Sequence, residues 1–506
     1  MRPVSILGNQ KEATDSLAHR ASNIDKPQYH RTERTVGINF KAKLYQGIGS
    51  VPSTINGFVF STFLLLYYNQ ILGIDARYVS IALGIAVFFD AVSDPIIAAY
   101  SDNLQTRWGR RHPLMLMSAV PLGLCIFAIF VPPAFLTEGQ KIMWLLFFCI
   151  FSGLFSTLFN VPWNAVAAEL SDDYAERTSI MSYRYAVGWV VGISFPLFIF
   201  SFVMPETEGQ AVGQLNPEGY PVMAALAGIL AALGALASTL LTSNQIPYLR
   251  QHIGEKKPLR IGKVFAELKR AVGNNQFALI FTIVFFSSAI GGTLLSLGIY
   301  MSTYFWGFGT EDLRWFTLSA LGALLAFPFV DYIQERWDKK QIMLFCAIAS
   351  LADGLLWVNL RLLDVLPENG DPWLLTILVV SGTFTTFIAV IDGIIGASIV
   401  ADILDEHELE TGHRQEGMFY AALTFSEKAV GSIGIATSGF LIASLQLPKN
   451  AVPGKLDAEL VFNMGLIAGV LIPLFYIIPI YLIRFYKITR ERHREIQKQL
   501  ILARNS

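Results

Sequence analysis

Residues 102–111 read Asp102-Asn-Leu-Gln-Thr-Arg107-Trp108-Gly-Arg110-Arg111, and residues 331–340 read Asp331-Tyr-Ile-Gln-Glu-Arg336-Trp337-Asp-Lys339-Lys340. An aspartate, an aliphatic residue, glutamine, arginine, tryptophan and two basic residues recur in register, 229 positions apart. A second pair follows at nearly the same offset, 233: Ala168-Glu169-Leu-Ser-Asp172-Asp173 and Ala401-Asp402-Ile-Leu-Asp405-Glu406. Chance produces one such match. Two at a near-common offset mark an internal repeat, so the chain reads as two like halves.

The segments around these loops are apolar. Of 506 residues, 53% are apolar before the 40 glycines are counted, and only 15% are charged; soluble chains carry about 25% charge. Lipid is the solvent that tolerates such a surface, which argues against a multi-domain soluble enzyme and a disordered chain. Uncharged runs cover 44–74, 113–137, 142–168, 185–205, 219–249, 271–310, 372–391, 429–448 and 460–483. Segments 78–101, 313–333 and 341–360 are apolar but carry isolated charges or are shorter. At about 20 residues per span this predicts twelve membrane helices. Alternating strands of a membrane β-barrel are not seen.

Basic residues set the orientation. The N-terminal tail has eight, from Arg2 to Lys43, the connection 250–270 has seven, and the tail from Arg484 has seven. The connection 205–220 has none and carries Glu206, Glu208 and Glu218. Both termini and the central connection are therefore expected in the cytoplasm. The expected organisation is a tail (1–43), a six-helix half (44–243), a central loop (244–275), a second six-helix half (276–486) and a tail (487–506). The tails are expected to be solvated and partly disordered. Two parallel six-helix repeats in an all-α membrane protein are the mark of the major facilitator fold, with substrate bound near the midplane between the halves. The repeated loops then predict a cytoplasmic gate, in which Asp102, Arg107, Arg110, Arg111, Asp331 and Arg336 latch the halves together when the carrier faces outward.

A net charge of −1 gives no basic balance for nucleic acid. Cys125, Cys149 and Cys346 lie in apolar runs and imply no disulfide framework. A polar N-terminus reads as lacking a cleavable signal peptide. No phosphate-binding loop, His-Glu-x-x-His or nucleophile with a neighbouring base is present, so an enzyme is not expected.

A charge in hydrocarbon costs at least about 2.5–3.5 kcal/mol, so each needs a reason. Asp90-Ala-Val-Ser-Asp94-Pro95 sets two aspartates four apart on one helical face. Two bare carboxylates there repel, and a proton or a bound cation removes the conflict. Pro95 frees a carbonyl one turn back. Carboxylates plus a carbonyl suit Na⁺ or a proton, so Asp90 and Asp94 are the expected coupling-ion site. Helix 4 supplies Thr157, Asn160, Trp163 and Asn164, with Thr157 and Asn160 sharing a face. Lys428, deep in helix 11, is expected to pair with Asp90 or Asp94 or to hold an anionic or hydroxyl-rich ligand. Glu427, Asp353 and Asp392 have no role assigned by the sequence.

Three blocks resemble the glycoside–pentoside–hexuronide:cation symporter family. The first is Asp90-Ala-Val-Ser-Asp94-Pro95 followed by Thr106-Arg-Trp-Gly-Arg-Arg-His-Pro113. The second is Asn160-Val-Pro-Trp-Asn-Ala165, continuing through Glu169 and Arg177 to Tyr183-Arg184. The third is Asp402-Ile-Leu-Asp405, then Thr411-Gly-His-Arg414-Gln-Glu-Gly417, then Lys428. The resemblance runs from helix 1 to helix 12 and implies a Na⁺- or H⁺-coupled symporter. It implies that Asp90, Asp94 and Thr157 hold the cation. It places Lys428 between cation and substrate, and Arg184 near the substrate cavity.

Melibiose carriers have a lysine–aspartate pair in helix 1 where this chain has Ser53 and Thr54, and a sugar-binding aspartate where it has Asn160. Those departures weigh against a galactoside and leave cation coupling intact. The expected activity is inward symport of a sugar or glycoside with Na⁺ or H⁺ across the inner membrane of a bacterium. Its substrate residues are Lys428, Asn160, Trp163, Arg184, Thr54, Ser53 and Asn164. A lysophospholipid or other amphipathic solute is the alternative. No cofactor beyond the coupling ion is expected, and one chain holds a whole pathway, so a monomer is expected.

Overall fold

The computed structural model describes residues 29–30, 37–171, 173–207, 212–249, 251–252, 273–411, 430–431 and 433–505. Eleven described helices are long and apolar enough to span a membrane. These are α1 (Phe40–Ile71), α2 (Ala76–Asn103), α3 (His112–Phe130), α4 (Glu138–Glu169), α5 (Glu176–Val203), α6 (Gly219–Leu241), α7 (Asn275–Phe305), α8 (Thr310–Arg336), α9 (Lys339–Leu362), α10 (Pro372–Leu409) and, last in the chain, α12 (Ala458–Ile483). The shorter apolar helix α11 (Ile433–Ser444) stands where the twelfth span is expected. A terminal helix, α13, covers Arg490–Asn505. The described strands are two-residue pieces, Tyr29–His30 paired antiparallel with Gln251–His252.

Local chemistry starts these helices. The Asp75 carboxylate accepts from the Arg77 amide ahead of α2, Thr137 and Gln140 form a capping box at α4, and Asn274 accepts from two amides at α7. The duplication is also written in the backbone. The π-helical turn Tyr67–Ile71 ending α1 recurs as Met301–Phe305 ending α7. Each is followed two residues later by a left-handed glycine, Gly73 (φ +70°) and Gly307 (φ +68°), a conformation open to glycine at little steric cost.

The two halves meet at one end. Residues of α1, α2, α3, α5 and α6 share one core with residues of α7, α10 and α12 at the end away from the repeated loops. At the loop end the cores are separate, one built on Met115, Phe159 and Trp163, the other on Phe277, Ile342 and Ile399. Described hydrogen bonds between the halves gather at the far end. Tyr300 donates to the Leu65 carbonyl (3.2 Å) and to Asn69 (3.1 Å), and Tyr304 donates to Gln70 Oε1 (3.2 Å). The Ala451 amide donates to the same Gln70 oxygen at 3.0 Å, and Gln214 donates to Thr303 and to the Phe308 carbonyl.

The C-terminal tail departs from its expectation of being solvated. Ile496 and Leu500, four apart on α13, are buried in the core of the second half. Arg490 donates to the carbonyls of Gln334, Glu335 and Trp337, and His493 lies 3.0 Å from Asp405. An apolar stripe, together with basic side chains facing the carbonyls that end α8, docks this segment.

Candidate functional site

The α2–α4 contact carries a tight polar cluster within the membrane helices. Thr157 Oγ1 lies 2.6 Å from Asp90 Oδ1 and 2.8 Å from Asp94 Oδ1. Thr157 is buried and both aspartates are half-buried. The one-turn spacing of Asp90 and Asp94 brings both carboxylates to a single hydroxyl on the facing helix. Pro95 lies inside α2 at this level, and the Ser93 hydroxyl donates to the Asp90 carbonyl at 3.0 Å. On α4, Gly153 faces Asp90, and a Cβ there would sit in ordinary van der Waals contact with it at 3.5 Å.

The electrostatics of this cluster follow from counting hydrogens. A hydroxyl owns one donor hydrogen, and an ionised carboxylate owns none. The two oxygen–oxygen contacts, 2.6 and 2.8 Å, therefore compete for that one hydrogen. Among the described residues no group of three or more His, Cys, Asp or Glu is placed to hold a metal ion. Two carboxylates and a hydroxyl are hard oxygen donors, suited to an alkali cation or a proton and not to a soft transition metal.

A second polar group joins α1, α4 and α5. The Ser53 hydroxyl donates to Asn160 Oδ1 at 3.4 Å, and the Asn160 amide donates to Ser156 at 2.9 Å. Thr54, one position on, faces Gly188 and Gly192 of α5. Trp163 is fully engaged in the core. Its indole N–H donates to the Gln46 carbonyl (2.9 Å), and the Gln46 amide donates back to the Trp163 carbonyl (2.8 Å). Phe159 stacks along one side of the ring, and the Arg184 guanidinium lies 3.6 Å from its centroid. Arg184 also donates to Asn164 Oδ1. The structure therefore brings Trp163, Asn164 and Arg184 together, with Trp163 as the platform on which the arginine rests.

The repeated loops form matching ion pairs inside each half. Arg110 donates to Glu169 at 2.7 Å, and Arg111 bridges Glu169 (3.0 Å) and Asp102 (2.6 Å). In the second half, Lys339 pairs with Asp402 at 2.6 Å. Arg110 and Lys339 are repeat partners, as are Glu169 and Asp402, so the two sequence matches meet in space as one duplicated ion pair. Glu169, Lys339 and Asp402 were not singled out as gate residues from sequence; their place in the second matched block was the available signal. Arg107 is exposed, and Arg336 stacks on Tyr332 at 3.6 Å. Lys428 and Glu427 lie outside the described residues, as does the side chain of Asp331.

Asp353, unassigned from sequence, is saturated with donors. It accepts from Trp357 (2.9 Å), Ser381 (2.7 Å) and Thr385 (2.8 Å), tying α9 to α10.

A family model described as MFS/sugar transport protein matches residues 45–490. The sodium-dependent lysophosphatidylcholine symporter 1 of Gallus gallus is 25% identical over 94% of this chain and 91% of its own length. The isoprimeverose transporter of Lactiplantibacillus pentosus is 25% identical over 76% of each chain. Among solved structures, the nucleoside transporter NupG superposes with a TM-score of 0.61 at 12% identity, over 89% of this chain and all of that one.

Proposed function

The chain belongs to the MFS/sugar transport protein family, a family of multi-pass membrane transporters, and from that premise we propose that it is a cation-coupled symporter of a sugar or glycoside. The observation that carries the coupling is the placement of Thr157 Oγ1 within 2.8 Å of both Asp90 and Asp94. Two carboxylates converging on one hydroxyl are a set of hard oxygen donors of the kind that binds a proton or Na⁺. Binding offsets the repulsion between the two carboxylates and lowers the cost of moving them through a closed, dry state.

Ser53, Thr54 and Asn160 offer neutral hydrogen-bonding groups to a hydroxylated cargo near this site. Arg184, held by Trp163 and Asn164, offers a planar cation, and Lys428 belongs to the same proposed set. The repeated loops, with their basic residues, lie in the cytoplasm with both termini, and the membrane is the cytoplasmic one. In that orientation the described halves touch at the outer end and keep separate cores at the cytoplasmic end, which supports the reading of a carrier facing inward. Closing that end moves Arg107, Arg110, Arg111, Asp102, Asp331 and Arg336 toward each other as the gate.

A lysophospholipid is the second reading. Loss of the lysine–aspartate pair at Ser53 and Thr54 and of the aspartate at Asn160 removes the charged grip on sugar hydroxyls, and the lysophosphatidylcholine symporter is similar along nearly the whole chain.

Uptake into proteoliposomes of the purified protein tests both. A labelled panel of mono-, di- and uronic sugars and a lysophospholipid is offered under an imposed Na⁺ or H⁺ gradient. Accumulation of one sugar, lost in Asp94→Asn, is the expected result. Gradient-driven movement of the lysophospholipid alone selects the second reading. Gradient-independent uptake by wild type and Asp94→Asn alike overturns symport.

A further inference from the structure

The duplication makes each half a control for the other, and at one membrane position they differ sharply. Phe159 on α4 is fully buried, its ring packed with Met115 and Ala119 of α3, Ala42 of α1 and Ala235 of α6. The offset of 233 that aligns Glu169 with Asp402 aligns Phe159 with Asp392 on α10. Around Asp392 the equivalent helices α7, α9, α10 and α12 enclose a cavity of about 410 Å³. Where the first half fills its core with a ring, the second half has a space and a carboxylate.

The lining is aliphatic apart from Ser287 and Ser288 on α7, Cys346 and Ser350 on α9, Asp392 on α10 and Tyr476 on α12. Asp353, by contrast, uses its carboxylate on three donors. For Asp392 the structure shows neither a hydrogen bond nor an ion pair among the described residues. The titratable neighbours facing it are the Cys346 thiol and the Tyr476 phenol, and neither is cationic at neutral pH. An ionised carboxylate in such surroundings is expensive without a counter-charge. The space is far larger than a bare ion needs and falls in the range of about 300–1,000 Å³ of small-molecule sites.

We propose that the α7–α9–α10–α12 cavity is a ligand site for a small organic cation, an ammonium group on an apolar body, with Asp392 as its counter-ion. The serine and tyrosine hydroxyls accept from the ammonium hydrogens, and the aliphatic walls cover the body. All four walls belong to one half. Movement of one half against the other does not expose such a site alternately to the two sides, so its occupant is an effector of the carrier and not its cargo. This site is separate from the Asp90–Asp94–Thr157 cluster and does not depend on which solute is carried.

The test uses the full-length protein in proteoliposomes with Cys125, Cys149 and Cys346 replaced by alanine. Ser350→Cys is the reporter on α9, and Ser288→Cys is an independent reporter on the opposite wall. Each is modified with two methanethiosulfonates of similar size, one bearing an ammonium and one uncharged, with and without phenethylammonium as competitor. The expected result is at least tenfold faster modification by the cationic reagent and protection by phenethylammonium. Both effects are lost in Asp392→Asn and retained in Asp392→Glu, which also shows that the cavity survives substitution. Equal rates for both reagents, a preference unchanged in Asp392→Asn, or thiols inert to both reagents at both positions overturns the proposal.

Discussion

Replacing Thr157 by valine removes one hydroxyl and keeps the shape of the side chain. In the structure that hydroxyl touches Asp90 at 2.6 Å and Asp94 at 2.8 Å. A hydrogen bond to a charged group contributes about 1.5–3 kcal/mol, which is roughly a tenfold to hundredfold change in cation affinity. The cargo need not be known to read it. A cation that binds the folded carrier raises its stability by RT ln(1 + [L]/Kd), about 2.7 kcal/mol at one hundred times Kd. A thirtyfold loss of affinity leaves about 0.9 kcal/mol at the same concentration.

The assay is thermal unfolding in detergent, with NaCl exchanged for choline chloride at constant ionic strength and repeated across pH. Wild type is expected to gain melting temperature with Na⁺ or with acid, whichever ion couples. Thr157→Val shifts that dependence to higher ion concentration by one to two decades, and Thr157→Ser stays close to wild type. An ion dependence identical in wild type and Thr157→Val refutes the reading of the cluster. A Thr157→Val protein less stable by the same amount at every ion concentration refutes it equally, since that marks lost packing.

Three further outcomes follow from the geometry. Tyr300→Phe combined with Gln70→Ala removes hydrogen bonds across the seal at the end away from the repeated loops; at about 0.5–1.5 kcal/mol each, the population open at that end rises by an order of magnitude or more, read as spin-label distances across the two ends. Glu206 sits at that seal with its carboxyl pushed up by burial and by Glu311 and Asp312 of the other half. A raised carboxyl favours the sealed state when protonated, so opening at this end increases as pH rises through and above the ordinary carboxylate range, and Glu206→Gln flattens that dependence. Glu169→Ala removes the buried carboxylate shared by two arginines that are less than a tenth exposed and leaves the mostly exposed Asp102 beside them; it is expected to cost about 3 kcal/mol in thermal or denaturant unfolding. Lys339→Ala costs less, because its partner Asp402 keeps His493 at 3.3 Å; equal costs would show that burial does not set the difference.

Much of the fold was legible because lipid imposes length and composition, and because the duplication left charged residues where they are easily seen. Asp102, Arg110 and Asp331 stand out against apolar neighbours. Gly73 and Gly307 recur as faithfully, yet a lone glycine at the end of a span carries no pattern until its φ is known. Trp163 shows a different limit. Its place beside polar residues suggested a surface for substrate, whereas the reciprocal bonds with Gln46 and the packing of Phe159 and Arg184 commit its ring to the core. Sequence spacing gives the face of one helix, and these contacts come from three. The docked tail was missed for a related reason. Ile496 and Leu500 make a short stripe in a basic segment, and the core beside α10 that receives it is assembled only in the fold.

What the duplication has kept and what it has lost divide cleanly by location. At the loop end both halves retain the same ion pair, Arg110–Glu169 and Lys339–Asp402, and at the far end they retain the same turn after α1 and α7. In the membrane interior the offsets carry Asp90, Asp94 and Thr157 onto Ser319, Ala323 and Val390, none of which bears a charge. If the Asp90–Asp94–Thr157 cluster binds the coupling cation as proposed, it biases a symmetric scaffold from one side. Its occupancy changes the cost of closing the whole carrier, while the conserved ends supply the contacts that closing makes and breaks. The same divergence placed a carboxylate at 392 where the first half has a phenyl ring, so the second half also carries chemistry that its partner lacks. Motion in this molecule therefore rests on what the halves share, and ion and ligand recognition on what they do not.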